Sequence, residues 1–398
     1  MTDAPDLPDE LRRTVEKSLS ARFERHVSIA DVHNFPYSCV FRCSLTGSPE
    51  GKDATLPRTV IVRLPRASGG RKGPTLLQNE HSALAYLMEL RCELTPGVLG
   101  GGADAGFLIT NDFGDAPSLL DVLLGNDPVA AERSVLAFAR AFARLHTRTL
   151  SLITPPTEPR MVTTNAPTVE ESWQEVREAV AQIGLPGPDD AVHNDVATVV
   201  RTLANPGAFR VLSSGDPSVV NCKVTDAGVR FFDFEEASLR HVFCDIVLLH
   251  YFYPTGGPAW LLPAELAARM ERQYRSEWAR SGAAPLTDSE HNTGVAVAAT
   301  AWTVLRLARL QGVDTGPDPD PWLLLPPDWS GPAPIRSRRR QLVSLLETCS
   351  DSLRRADTLG SFAGWCEQMT IALRSRWKES TEELPLYPAF RQLGLSNK

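Results

Sequence analysis

Between two apolar runs of this 398-residue chain lies the stretch Leu212–Glu236, LSSGDPSVVNCKVTDAGVRFFDFEE. Asp216 sits in a Gly-Pro loop and Asn221 follows five positions on. Asp233 comes twelve residues later still, at the end of the strand-like run VRFF. A hairpin turn at Thr225–Gly228 would fold the two short strands so that their ends meet, bringing the three side chains to one edge. Oxygen donors so placed suit Mg²⁺, a hard cation that keeps waters and phosphate oxygens in its remaining positions. A carboxylate beside such a site can also take the proton of an attacking hydroxyl. Asp216 and Asn221 equally fit a role as turn residues, because both types favour turns. That role leaves Asp233 without a reason to stand where it does.

The order S-G-D-P-S-V-V-N followed by D-F-E resembles the catalytic segment of the aminoglycoside phosphotransferase family, a branch of the protein-kinase-like fold. The signature of that family is H-G-D-x4-N followed by D-[FLW]-[EDG]. The resemblance implies that Asp216 is the catalytic base, that Asn221 and Asp233 are Mg²⁺ ligands, and that ATP or GTP is the co-substrate. Phe107–Leu123 (FLITNDFGDAPSLLDVL) looks like the hinge, with Thr110, Asn111 and Asp112 turned by their backbone groups toward the base. Phe138–Thr149 resembles the helix behind the catalytic loop, and Leu239–His250 the segment whose Asp245 braces that loop. The resemblance runs roughly from Ser38 to His250. It implies an α+β, bilobal, kinase-like fold with a small β-rich N-lobe over 1–110, a hinge over 111–117 and a mainly helical C-lobe over 118–398. The helices beyond residue 251 would bind the acceptor, a small-molecule hydroxyl or a Ser/Thr of a modified peptide. Asp216, Glu235 and Glu236 would give the mouth an acidic rim suited to a cationic acceptor.

The chain departs from the family pattern at several places. Arg63, in VIVRLPR, stands where a Lys is expected, and Glu80 follows seventeen residues on, where the family has its helix carboxylate. A guanidinium holds carboxylate and phosphate well, but its planar fork is larger and less mobile than an ammonium. The expected phosphate-covering loop, Asn34–Phe41, has no Gly, which keeps backbone amides farther from phosphates. Ser214 replaces the His of the signature. Lys223 lies two residues past Asn221, where an apolar residue forms the floor under the base; it could reach a phosphate, or be the exposed face of an edge strand. These departures support a rival: a catalytically impaired pseudokinase that binds a peptide or protein partner in its cleft.

The elements that must position these residues are legible from periodicity. Leu11, Val15, Leu19 and Phe23 recur at helical spacing within Asp9–Phe23, and strand-like runs follow at Val27–Val32, Cys39–Leu45 and Thr59–Leu64. Thr75–Cys92 reads as a helix, followed by short strands near Val98 and at Phe107–Thr110. Helical patterns occupy Val129–Thr149, Val169–Ile183 and Ala191–Leu203. The β segment Arg210–Ser213, Cys222–Thr225 and Val229–Phe234 comes next. Helices are expected at Cys244–Tyr251, Pro263–Ser281, Glu290–Leu310, Arg338–Leu359 and Phe362–Trp377. Pro- and Gly-rich stretches at Ile153–Pro167 and Gly312–Pro334 read as loops.

Composition excludes several classes. The formal charge is −7, a poor match to nucleic acid or anionic membranes. Seven scattered cysteines without a CxxC pair argue against a zinc or disulfide scaffold. The polar N-terminus lacks the apolar core of a secretory signal, and Val295–Leu305 is too short to span a bilayer, so a cytoplasmic protein is expected. Arg336–Arg340 reads as a solvated helix start, and His146 and His241 as packing residues. Trp260, Trp302, Trp322 and Trp329 read as core side chains or the lining of a pocket.

Overall fold

In α1 (Asp9–Phe23), Val15 and Leu19 are fully buried, and the helix lies across one face of an antiparallel five-stranded sheet. The computed structural model describes residues 7–35, 39–47, 56–65, 73–150, 168–251, 260–316, 337–381 and 384–391. The sheet is built from β1 (Val27–Asn34), β2 (Val40–Gly47), β3 (Thr59–Arg63), β4 (Val98–Gly102) and β5 (Phe107–Asn111), in the order β1-β2-β3-β5-β4. Its faces follow the two-residue period of a strand. Phe41, Cys43, Val60, Val62 and Ile109 pack with α1 into one apolar cluster. The alternate positions form the other face, where Arg42 pairs with Ile61 and Ile61 with Thr110, while Val40 pairs with Arg63 and Arg63 with Leu108. α2 (Gly73–Glu89) closes this part, and its buried Leu77, Leu84 and Leu87 join the large core of the remaining chain.

The rest is mostly helical, so the expected α+β architecture, with a β-rich N-terminal part and a helical remainder, is the one observed. α3 (Leu119–Leu124) and α4 (Pro128–Arg148) follow the linker, then α5 (Val169–Ile183) and α6 (Asp190–Ala204). Two small hairpin-like sheets come next: β6 (Arg210–Ser213) pairs with β9 (Ser238–His241), and β7 (Cys222–Thr225) with β8 (Gly228–Phe231). α7 (Phe243–Ile246), α8 (Ala264–Arg280), α9 (Asp288–Leu307), α10 (Leu310–Thr315), α11 (Arg338–Ala356) and α12 (Gly360–Arg376) complete the fold. Ser118, Thr168 and Thr287 each form a reciprocal capping box with the acidic residue three positions on, which fixes where α3, α5 and α9 begin. A fully buried leucine such as Leu84 contributes roughly 1.5–3 kcal/mol relative to exposure, so the apolar stripes rather than propensity hold these helices.

Several sequence expectations are corrected. The strand expected over Val229–Phe234 ends at Phe231, and Asp233 lies beyond it in a left-handed turn with φ of 67°. β9 was not anticipated at all. The helix expected at Cys244–Tyr251 is only α7 followed by a 3-10 turn over Val247–Leu249, and Glu290–Leu310 divides into α9 and α10. The basic run does not lie in solvent: Arg340 is buried, and Arg339 donates to the carbonyls of Val313 (3.2 Å) and Asp314 (2.9 Å). Trp260 is buried against Tyr387, while Arg306 lies over the Trp302 ring at 4.1 Å. Arg336, Trp322 and Trp329 lie outside the described residues. All seven cysteines are free thiols, and no helix among the described residues is long and apolar enough to cross a membrane.

Burial also sets the response to acid. Loss of solvent lowers His241 and His250 to about 4, with Glu271 opposing the shift at His250, and burial lowers His291 as well. Each folded imidazole therefore binds fewer protons than its unfolded counterpart below the ordinary value near 6.5. Stability should accordingly fall as pH drops from that value toward 4, by at most about 1.4 kcal/mol per pH unit per histidine. Glu80 acts in the opposite sense, because its raised carboxyl binds a proton more readily when folded. Urea titrations between pH 7 and 4.5 should show a net decline, shallower in His241→Phe; a flat profile would contradict the assignment.

Candidate active site

The segment 212–236 is held from below by one buried carboxylate. Asp245, fully buried at the start of α7, accepts from Ser213 Oγ at 2.8 Å, from His146 Nε2 at 3.1 Å and from Arg240 Nε at 3.2 Å. Arg240 also reaches it through Nη2 and extends to the carbonyl of Gly215 at 3.3 Å. With the His146 Nε2 proton facing Asp245, Nδ1 is left to accept from the Tyr274 hydroxyl at 2.8 Å. Burial alone would raise Asp245, but the Arg240 guanidinium and the His146 hydrogen bond outweigh it and hold the carboxyl at about 2. Ser213 Oγ in turn accepts the Gly215 N–H at 3.0 Å. Gly215 itself, at φ of 88°, brings the loop against the carbonyl of Glu236, and a Cβ there would lie 2.1 Å from that oxygen. Ser213 and Arg240 thus tie the loop that carries Asp216 to Asp245. His146, read from sequence as a packing residue, belongs to the same network.

On this base the three expected side chains come to the same end of the β7–β8 hairpin. Asn221 Nδ2 donates to the Asp216 carbonyl at 2.9 Å and to its Oδ2 at 3.3 Å. The Phe232 N–H donates to the Asn221 carbonyl at 3.1 Å, which sets Asp233 one residue from Asn221's backbone. Asp233 is a non-glycine residue in the left-handed region, a conformation that persists where surrounding contacts over-determine it.

Those contacts come from Arg63 on β3. Its Nε pairs with Glu80 Oε2 at 3.0 Å, and its Nη1 donates to Asp233 Oδ1 at 2.8 Å and to Glu235 Oε2 at 2.9 Å. One guanidinium therefore joins the sheet, α2 and the 233–235 turn. Burial disfavours its charge, yet the three carboxylates more than compensate and raise its pKa. Glu80 is raised by burial, and Asp233 and Glu235 add to the shift against the pull of Arg63. Three carboxylates face one cation, so the cluster carries surplus negative charge that a divalent ion would offset.

The residues present fit Mg²⁺. The amide nitrogen of Asn221 is committed to Asp216 and one oxygen of Asp233 to Arg63, which leaves the amide oxygen and the second carboxylate oxygen as hard donors. Among the described residues, no group of three or more His, Cys, Asp or Glu side chains is arranged to hold a metal.

The linker departs from expectation. β5 lies between β3 and β4, and the Asn111 N–H donates to Gly97 at 3.1 Å, so the backbone of Thr110 and Asn111 is engaged in sheet pairing. The Asp112 carboxylate is taken by Arg42, at 2.6 Å from Nε and 3.2 Å from Nη2, and by the Gly114 N–H at 2.9 Å. Arg42 further binds Asp115 and the Gly114 carbonyl. Sequence reasoning missed Arg42; its alternation on β2 was a signal, but its partners lie some seventy residues away. Lys223 lies on β7 beside Ser118, through an isolated bridge. Of the expected phosphate loop, residues 36–38 lie outside the described set, and the flanks are closed by Phe35 N–H on Val40 at 3.1 Å.

Because Glu80 is almost fully buried, removing its partner should be costly. Arg63→Ala is expected to lose about 3–5 kcal/mol, whereas an Arg63→Met/Glu80→Leu double variant should lose clearly less. Chemical denaturation of the two proteins measures the difference; equal losses would show that the pair does not carry this term.

No protein-family model matches the sequence, and no curated protein matches it. Solved structures are similar at low identity. Choline kinase LicA from Streptococcus pneumoniae is 12% identical, with a TM-score of 0.44, over 88% of this chain and 100% of that one. The gentamicin complex of APH(2")-IIa gives 12%, 0.45, 90% and 99% for the same measures, and macrolide 2'-phosphotransferase type I gives 14%, 0.41, 79% and 95%. At this identity and these scores the likeness to small-molecule kinases is remote.

Proposed function

We infer that the chain is a nucleotide-dependent phosphotransferase that moves the γ-phosphoryl group of ATP or GTP to a hydroxyl of a small molecule. The observation that carries this is Arg63, which draws a sheet residue, Glu80 of α2 and Asp233 of the 233–235 turn into one cluster beside the Asp216–Asn221 loop. Phosphoryl transfer asks mainly for positioning and charge neutralisation, and this cluster is built for both. Asp216, fixed through Asn221 Nδ2, would accept the proton of the acceptor hydroxyl and hold its oxygen in line. Asn221 and Asp233 would hold Mg²⁺, which when bound neutralises phosphate charge. Arg63, steadied by Glu80, would lie against the phosphates with the part of its fork not spent on carboxylates. The expected acidic rim is narrower than the sequence suggests, because Glu235 is already paired with Arg63.

A second reading has a specific observation behind it: Arg63 occupies an oxygen of Asp233, a proposed metal ligand, and of Glu235. A chain locked in that state would be a binding protein without turnover.

Thermal melting separates the two. A saturating nucleotide with Mg²⁺ at about a hundred times Kd should stabilise the protein by about 2.7 kcal/mol, and Asp233→Ala should abolish the shift. No shift with either nucleotide would favour the binding protein. Asp216→Asn should reduce transfer to a hydroxyl acceptor by about 10²–10⁴-fold while leaving nucleotide affinity unchanged. Undiminished turnover in that variant would remove Asp216 from the role of base.

A further inference from the structure

On the phosphotransferase reading, a nucleobase would meet three elements whose residues have unusual chemistry for that purpose. The roof is the sheet face carrying Arg42, Ile61 and Thr110 in one cross-strand row. That face looks toward the 212–236 segment, because Arg63, two residues from Ile61 and on the same side, reaches Asp233. The side wall is the linker 112–117. It is fastened to the roof by Arg42 through Asp112, Asp115 and the Gly114 carbonyl, and to β7 by the Val224 N–H donating to Pro117 at 2.8 Å.

The floor is Lys223. Cys222, Val224, Val229 and Phe231 project from one face of the β7–β8 hairpin into the helical core, so Lys223 and its cross-strand partner Arg230 project from the other. That second face points at the N-terminal part, since Arg230 donates to the carbonyl of Glu93. Lys223 is half-buried, lies beside Ser118 at the end of the linker, and makes no ion pair among the described residues. Arg42 is different: its charge is spent on Asp112 and Asp115, which leaves a fixed planar group rather than a free cation.

We propose that Lys223 is a specificity-determining residue that makes the base subsite prefer guanine to adenine; this rests on the phosphotransferase reading above. An ammonium has three donors and no acceptor. Its four-carbon stem can lie under a planar ring while the head reaches the ring's edge. Guanine offers two adjacent acceptors there, O6 and N7, whereas adenine replaces one of them with the N6 amino donor. A lone lysine therefore gains two contacts with guanine and meets a like-polarity group on adenine.

Isothermal titration of the full chain with the non-hydrolysable imido analogues of GTP and ATP, each with Mg²⁺, tests this. The guanine analogue should bind about tenfold more tightly, the equivalent of one good hydrogen-bonded base contact. Lys223→Leu should erase the gap, chiefly by weakening the guanine analogue, and Lys223→Met provides a second variant with an unbranched stem should Leu disturb the hairpin. Equal or tighter binding of the adenine analogue to the unaltered protein, or a gap that survives in both variants, would overturn the assignment of Lys223 while leaving the phosphotransferase reading intact. Failure of both analogues to bind would overturn the two together.

Discussion

Arg63 is the constraint on which the crevice depends. A single guanidinium set into the middle of a sheet satisfies three carboxylates from two other parts of the chain. Glu80, the buried one of the three, depends on it for a countercharge, and the left-handed backbone at Asp233 is held by the same side chain. Lysine could not make this junction in the same way, since a point charge lacks the fork that engages Glu80 through Nε and the turn through Nη1. The departure from the family pattern at this position is thus accompanied by an additional carboxylate, Glu235, on the same cation.

A second arginine performs a comparable service below. Arg240 neutralises Asp245 and also holds the Gly215 carbonyl, so the loop bearing Asp216 rests on a charge pair whose carboxylate is fully buried. Arg42 does the same for the linker. Contacts of planar guanidinium groups with carboxylates therefore make three separate ties: sheet to linker, sheet to turn, and loop to core.

Much of this was legible in the sequence, and the limits have physical reasons. The helix stripes, the Thr225–Gly228 hairpin and the Asp216–Asn221 spacing are local, and local periodicity and turn chemistry determine them. The Arg63–Glu80 pair was expected from the family resemblance, which sets these two positions opposite each other. What escaped notice was non-local. β9 is only four residues long and forms because β6 offers it an edge; Arg42 meets partners that no local pattern reveals; and the bend at Asp233 comes from Arg63 rather than from its neighbours. Thr110 was expected at a strand end and Asn111 in the hinge; that β5 is flanked on both sides, and so engages both backbones, is not disclosed by the sequence.

The choice of guanidinium has an outcome in alkaline medium. An ammonium buried among carboxylates would release its proton as hydroxide concentration climbs, and the junction it served would come apart. Arg63, Arg42 and Arg240 hold their protons far beyond the range in which proteins survive, so the scaffold of the crevice is insensitive to base. The junctions these three make thus outlast the carboxylates' own changes of charge.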